Sequence, residues 1–246
     1  MHLDLSDRVV LVTGAGSGIG AGIVIAFDEE GCRVVRLDVA GTDTVCDVTD
    51  TASVRAAVAA AVEQHGRIDV LVNNAGVLVD GAVEDTADEA WERTFAVNVH
   101  GVFRMCREVA PVMRAQGSGR IINAASFAAI VPSVGSAAYA ASKAAVVQLT
   151  RVLASELGPY GVTVNAYAPG MVPTAMNGFA ELPEDAQDRL LDTLSIRRWQ
   201  TPEDLTGLLR FLASDQAGYI TGALLDVSGG KLATQIPAKA YESARS

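Results

Sequence analysis

The chain has 246 residues, 50% of them hydrophobic and 20% charged, a length and balance that bury a full core without disulfides or metals and exclude a disordered chain or a coiled coil. With 19 basic against 29 acidic residues the formal charge is −10, which disfavours nucleic acid as a partner and otherwise bears only on solubility. The first residues form no apolar signal region, no window holds a run of apolar residues long enough to span a bilayer, and Cys32, Cys46 and Cys106 lack C-x-x-C spacing, so the expected location is a reducing cytoplasm with no membrane partner.

Strand-like and helix-like segments alternate along the chain. The β-branched run Arg8–Thr13 predicts a strand, followed by a glycine-rich turn and a helix over Ile19–Glu30 that Gly31 ends. Arg33–Asp38 reads as the second strand. Thr49-Asp50 supply a cap for a helix over Thr51–His65 with Gly66 behind it, and Ile68–Val72 is a further strand. Helices over Ala87–Arg93 and Phe95–Gln116 precede a strand over Arg120–Ala124 and a long helix over Tyr139–Leu157. A strand over Val162–Ala166, a helix over Pro202–Ala213 opened by its proline, and a last strand over Ala223–Val227 complete the series. Strands that read as continuous apolar runs are buried on both faces, and their alternation with helices predicts parallel pairing through right-handed crossovers.

The first strand runs into Thr13-Gly14-Ala15-Gly16-Ser17-Gly18-Ile19-Gly20 and then a helix. Glycines there let backbone N–H groups approach a pyrophosphate, and the helix N-terminus favours its charge. The spacing is T-G-x-x-x-G-x-G rather than G-x-G-x-x-G, because Ile19 stands where the third glycine would. Asp38 ends the second strand 20 residues after Gly18. A carboxylate there accepts hydrogen bonds from adenosine ribose hydroxyls and repels a 2′-phosphate, so NAD is the expected cofactor. Arg36, on the same strand face, is the one nearby cation that could reach the adenosine end. No linker or repeat interrupts the chain, so residues 1–246 are predicted to form one α/β domain, a doubly wound parallel sheet of Rossmann type with helices on both faces.

Tyr139-Ala140-Ala141-Ser142-Lys143 sets a phenol and an ammonium four residues apart on one helix face. The ammonium favours the phenolate and brings a group that titrates near about 10 towards a useful range for acid–base chemistry. Ser126, 13 residues upstream and just after a strand, falls at the carboxyl edge where open α/β sheets bind ligands, so its hydroxyl can meet the reacting oxygen beside Tyr139.

Together with Cys46-Asp47-Val48, Asn73-Asn74-Ala75-Gly76, Asn98 in Val97-Asn98-Val99, and Pro169-Gly170 with Thr174, these motifs stand in an order that resembles the short-chain dehydrogenase/reductase family from about Leu5 to Gly230. The resemblance implies an NAD(H)-dependent oxidoreductase that interconverts a secondary alcohol, polyols and sugar-like compounds included, with its ketone. The hydride chemistry belongs to the cofactor. It implies that Tyr139 is the general acid/base, that Ser126 polarises the substrate oxygen, that Lys143 lowers the Tyr139 pKa and holds the nicotinamide ribose, and that Asn98 fixes a water in the proton relay. Gly14, Ser17, Gly18, Ile19 and Gly20 would cradle the pyrophosphate, Asp38 the ribose, and Asp47 and Val48 the adenine. Asn74, Ala75 and Gly76 would line the cofactor site, with Pro169, Gly170, Val172 and Thr174 at the nicotinamide end. The helices around Val99–Gln116 and Tyr139–Leu157 would form the interfaces of a homodimer or homotetramer. One departure stands out: Asp38 and Asp47 are nine residues apart, too few for the helix the family usually has there, so the adenosine pocket is expected to be more open.

For the substrate, Ser126, Phe127, Ala128, Tyr139, Met171 and Met176 are the candidate contacts. The set is largely apolar, so a neutral ketone or secondary alcohol is expected, with Arg197 and Arg198 the only cations nearby in sequence that could serve an anionic group. Gly178 and the acidic stretch Glu181–Asp192 suggest a lid helix. The tail 231–246 is expected to pack on a neighbouring subunit. His2, His65 and His100 are dispersed without metal-ligand spacing, so no metal is expected. A 3-oxoacyl-thioester reductase is the alternative enzyme, and a catalytically silent cofactor-binding scaffold the alternative of a different class.

Overall fold

Alternation along the first strand decides how the sheet is covered. The computed structural model of the chain describes residues 3–42 and 44–243. In β1 (Val9–Thr13) every residue is buried, Val9 and Leu11 in one apolar cluster and Val10 and Val12 in another, because successive side chains leave a strand on opposite faces. One cluster is filled by α2 (Thr51–His65), α4 (Val102–Gln116) and α5 (Ala137–Leu157), the other by α1 (Gly18–Glu29) and α7 (Glu203–Ala213). The remaining strands are β2 (Arg33–Asp38), β3 (Thr44–Val45), β4 (Val70–Asn73), β5 (Gly119–Ala124), β6 (Val162–Pro169) and β7 (Leu224–Val227). All pair in parallel in the order β3-β2-β1-β4-β5-β6-β7. This is the doubly wound Rossmann-type sheet that the sequence pattern predicts.

The differences from the sequence reading are local. The two helices expected over Ala87–Arg93 and Phe95–Gln116 are one continuous rod. In it α3 (Asp88–Phe95) passes through a π-helical segment, Ala96–Gly101, into α4. Gly101 is the reason the rod can lie so close to the sheet edge, since a Cβ there would sit 2.8 Å from Val48 Cγ2. β6 runs three residues further than expected, to Pro169, and carries the backbone to the site. No helix forms between Asp38 and Asp47; the chain turns there into the two-residue strand β3, which pairs Asp38 with Val45. The lid stretch contains α6 (Glu184–Leu191).

The described part of the tail makes contacts within its own chain. Residues 231–243 fold back and end in α8 (Lys239–Ser243), and the Tyr241 hydroxyl donates to Ser195 O (2.8 Å) and accepts from Arg197 N (3.1 Å). Residues 244–246 of that tail, and His2, lie outside the described residues.

A buried polar chain fixes where α5 lies on the sheet. Asn73 Nδ2 on β4 donates to Asn123 Oδ1 on β5 (2.9 Å), and Asn123 Nδ2 donates to Thr150 Oγ1 on α5 (2.9 Å). Asn123 is fully buried, so its loss would strand partners that water cannot reach. Asn123→Ala is expected to cost about 2–3 kcal/mol, roughly 5–10 °C in melting temperature for a chain of this size, as measured by calorimetry.

Candidate active site

β1 pairs with β2 on one side and β4 on the other, so successive crossovers leave in opposite directions and a crevice opens beyond Thr13. The Thr13 hydroxyl accepts the N–H groups of Asn74 (3.0 Å) and Ala75 (3.1 Å). Asn74 Nδ2 in turn donates to Thr13 O and Gly14 O (3.2 Å each), and the buried Tyr167 hydroxyl donates to Asn74 Oδ1 (3.2 Å). Gly14 is left-handed at φ +65°, and a Cβ on Gly20 would fall 1.8 Å from Gly14 O, so the loop closes only with glycine at both places. The first turn of α1 carries no acid, and its N-cap Ser17 makes no side-chain cap bond, which leaves orphan N–H donors facing the crevice. An uncapped, acid-free helix N-terminus fits a pyrophosphate.

At the end of β2 the Asp38 carboxylate accepts from Gly16 N–H (2.9 Å) and Val39 N–H (2.7 Å), which aims it at the glycine loop. Arg36 does not reach this end, because it pairs with Asp28 on α1 at 2.6 Å. Asp47 Oδ1 accepts from the N–H and hydroxyl of Thr49 (2.8 and 2.7 Å), and Val48 is buried.

On α5 the four-residue spacing puts Tyr139 and Lys143 on one face, with Lys143 Nζ 5.7 Å from the phenol ring centroid. Lys143 is buried and donates to Ala124 O at the end of β5 (2.8 Å); burial pushes its pKa down to about 8. Burial pushes the Tyr139 phenol up, a hydrogen bond with Ser126 pulls it partly back, and the Asp80 carboxylate pushes it up further. The net shift of Tyr139 in the ligand-free protein is upward, with loss of solvation its largest cause. Ser126 Oγ accepts from Ala128 N–H (3.1 Å), which leaves its own hydrogen to give.

Asn98 is the one expected site residue that does not line the cavity. It lies fully buried on the π-helical segment, where its Oδ1 accepts Val77 N–H (2.8 Å) and its Nδ2 donates to Val77 O (3.0 Å) and Ser142 Oγ (3.0 Å). Its side chain thus holds the loop after β4 against α5.

The other expected residues meet in a single cavity of about 1040 Å³ along the carboxyl ends of β2, β1, β4, β5 and β6. Gly14, Ser17, Gly18, Ile19, Gly20, Asp38, Asp47 and Val48 line it. So do Asn74, Ala75 and Gly76, and Pro169, Gly170, Val172 and Thr174. Ser126, Tyr139 and Lys143 share that wall with Phe127, Ala128, Met171 and Met176. Met171 and Ala128 are buried, and Met176 is half exposed. Arg197 and Arg198 do not line the cavity. Arg197 pairs with Asp188 and Asp192 (2.7 Å each) and Arg198 grips Asp204 with both terminal nitrogens (2.6 and 2.7 Å). Sequence reasoning missed Tyr167, Asp80, Arg93, Leu190 and Lys231, all on the cavity wall. Among the described residues no three His, Cys, Asp or Glu side chains cluster as metal ligands, and no helix is long and apolar enough to cross a membrane.

The family model described as Enoyl-(Acyl carrier protein) reductase matches residues 14–231. A 3-oxoacyl-(acyl-carrier-protein) reductase of Thermotoga maritima is 36% identical over 92% of this chain and 98% of its own. A D-threitol dehydrogenase of Mycolicibacterium smegmatis is 39% identical over 92% and 93%. A solved structure from Beutenbergia cavernae, assigned as an NAD(P) dependent gluconate 5-dehydrogenase with NADP bound at low occupancy, superposes with a TM-score of 0.89. It is 36% identical, over 95% of this chain and 100% of that one.

The buried Lys143 amine has a consequence for stability. The unfolded chain stays protonated up to about 10.5, but the folded chain gives up the proton near 8, so the folded state carries a penalty that is full below pH 8 and fades as pH rises towards 10.5. Lys143→Met is expected to raise the melting temperature of the ligand-free protein at pH 7 by about 2–8 °C, with the gain gone near pH 10.5 in a pH series of thermal melts.

Proposed function

We propose that this chain, which belongs to the short-chain dehydrogenase/reductase family and is an oxidoreductase, interconverts a secondary alcohol and its ketone using NAD(H). One observation carries the reading: the hydroxyls of Ser126 and Tyr139 and the buried amine of Lys143 face the same cavity that the Asp38 carboxylate enters at the end of β2. The orphan donors at the start of α1 would hold the cofactor's pyrophosphate, and Asp38 its adenosine ribose. When bound, the nicotinamide supplies or accepts the hydride. Asp38 supports NAD over NADP because a carboxylate repels a 2′-phosphate, and Arg36, already paired with Asp28, offers that phosphate no counter-charge.

The protein's own part is proton transfer and positioning. Tyr139 gives its proton to the ketone oxygen in reduction and takes it from the alcohol in oxidation. Ser126 donates to the same oxygen, having committed its lone pair to Ala128 N–H. Lys143, held to Ala124 O, places a cation beside the phenol, where it stabilises the phenolate formed when the proton leaves. Asn98 is a positioning residue that fixes the loop around Val77 and, through Ser142, the turn of α5 that carries both.

A 3-oxoacyl-thioester reductase would use the same three side chains; the Thermotoga relative favours that reading and Asp38 counts against it. An inactive scaffold is disfavoured by the intact set of Asn98, Ser126, Tyr139 and Lys143. Exposed Phe103 on α4 and Val152 on α5 support assembly through those helices into a homodimer or homotetramer.

A panel of secondary alcohols and ketones followed by nicotinamide absorbance tests the activity. Tyr139→Phe is expected to lower kcat by about 10²–10⁴-fold while NADH still binds. Turnover within a few-fold of the parent would overturn the acid–base assignment.

A further inference from the structure

Lys231 is the one lysine besides Lys143 on the cavity wall. It follows β7 by way of Gly229 and Gly230, left-handed at φ +68° and +80°, a conformation that other residues resist. A Cβ on Gly230 would lie 2.5 Å from Ser195 Cβ. Gly229 O accepts Ile196 N–H (2.9 Å) and Gly230 O accepts the Ser195 hydroxyl (3.2 Å). This clamped double-glycine turn brings the next side chain back over the carboxyl edge of the sheet.

There the ammonium lies 5.4 Å from the ring centroid of Phe127, the neighbour of Ser126, and donates to Thr193 Oγ1 just beyond the lid helix α6. Unlike Arg197 and Arg198, it pairs with no carboxylate among the described residues, and burial alone pushes its pKa down. Asp80 on the same wall acts on Tyr139 and not on Lys231, and Arg93 is exposed. Partly burying a cation without a counter-ion costs solvation that the Thr193 hydroxyl and the Phe127 ring return only in part. Two of its three N–H donors have no protein acceptor among the described residues. A ligand that brings the opposite charge would repay both losses, and a lone ammonium with no guanidinium fork suits a monoanion better than a phosphate.

We propose that Lys231 is a specificity-determining residue that pairs with a carboxylate on the substrate, so that the compound turned over is a hydroxy acid or its keto acid rather than a neutral alcohol or ketone. The proposal rests on the reading of Ser126 and Tyr139 as the reacting end, and it replaces the neutral substrate expected from the residues around Ser126 and Gly170.

The test uses the full chain with saturating NADH or NADPH and three matched pairs: acetoacetate, 4-oxopentanoate and 5-oxohexanoate, each against its methyl ester. Binding to the enzyme–cofactor complex is read by quenching of nicotinamide fluorescence, and turnover by absorbance. At one chain length or more the acid should bind at least tenfold tighter than its ester. Lys231→Met and Lys231→Gln should bring that ratio to within about twofold of one. Lys231→Arg, and Thr193→Ala, which breaks the latch but keeps the cation, should retain it. An unchanged ratio in the Lys231 variants, no acid preference in the parent, or no binding of either member of any pair would overturn the proposal. Turnover that survives in Tyr139→Phe would instead strike the acid–base reading, whatever the acid-over-ester ratio.

Discussion

Parallel pairing of β1 on both of its edges is the constraint on which the site depends. Each strand must end on the same edge, and each crossover must carry the chain back outside the sheet. Where the crossovers diverge, the backbone of β1 and the start of the loop after β4 run out of ladder partners. The Thr13 hydroxyl and the Asn74 amide take over that bonding, and Tyr167 secures Asn74 from β6. With these backbone groups satisfied by side chains, the crevice can stay open to a ligand without leaving the end of β1 unpaired. The glycine loop is the other half of the same solution, because its close approach to Asn74 and Ala75 leaves no room for a Cβ at Gly14.

The candidate catalytic side chains are held by a second set of buried polar contacts. Asn73, Asn123 and Thr150 fix α5 along the sheet, and Asn98 with Ser142 fixes its rotation against the π-helical segment. Both contacts act on the helix that bears Tyr139 and Lys143, so the phenol and the amine are placed by groups that lie off the cavity wall. The electrostatic state of the ligand-free pocket follows from burial. The phenol is pushed up and the amine down, so two groups of nearly equal proton affinity in water are driven apart, and the amine gives up its proton first. Stability is given up at this position to keep an amine buried beside the phenol.

What was legible in the sequence was whatever is encoded by short spacing. The glycine loop, Asp38 at a strand end and the Tyr139–Lys143 pair all depend on neighbours within a turn or two, and the structure places them in one cavity. The strand–helix alternation was enough for the sheet, because parallel strands buried on both faces leave an unbroken apolar signature. The π-helical segment was not legible, since its widening at Ala96–Gly101 answers to Val48 and Val77, far away in sequence. The bonds of Asn98 to Val77 and Ser142 were hidden for the same reason. Lys231 was missed because its position depends on a turn clamped to residues 195 and 196. Arg197 and Arg198 have carboxylates within ten residues, and Asp188, Asp192 and Asp204 claim both of them away from the cavity.

The account stands or falls on whether the cavity at the switch point is a dinucleotide site gated by Asp38. The most direct measurement is the ratio of kcat/KM for NAD over NADP in the parent enzyme and in Asp38→Ala, with one alcohol substrate at saturation. The account predicts that the parent favours NAD by at least about tenfold, and that the variant loses most of that preference as the repulsion of the 2′-phosphate is removed. Equal use of both cofactors by the parent, or a ratio that the substitution leaves unchanged, would contradict it.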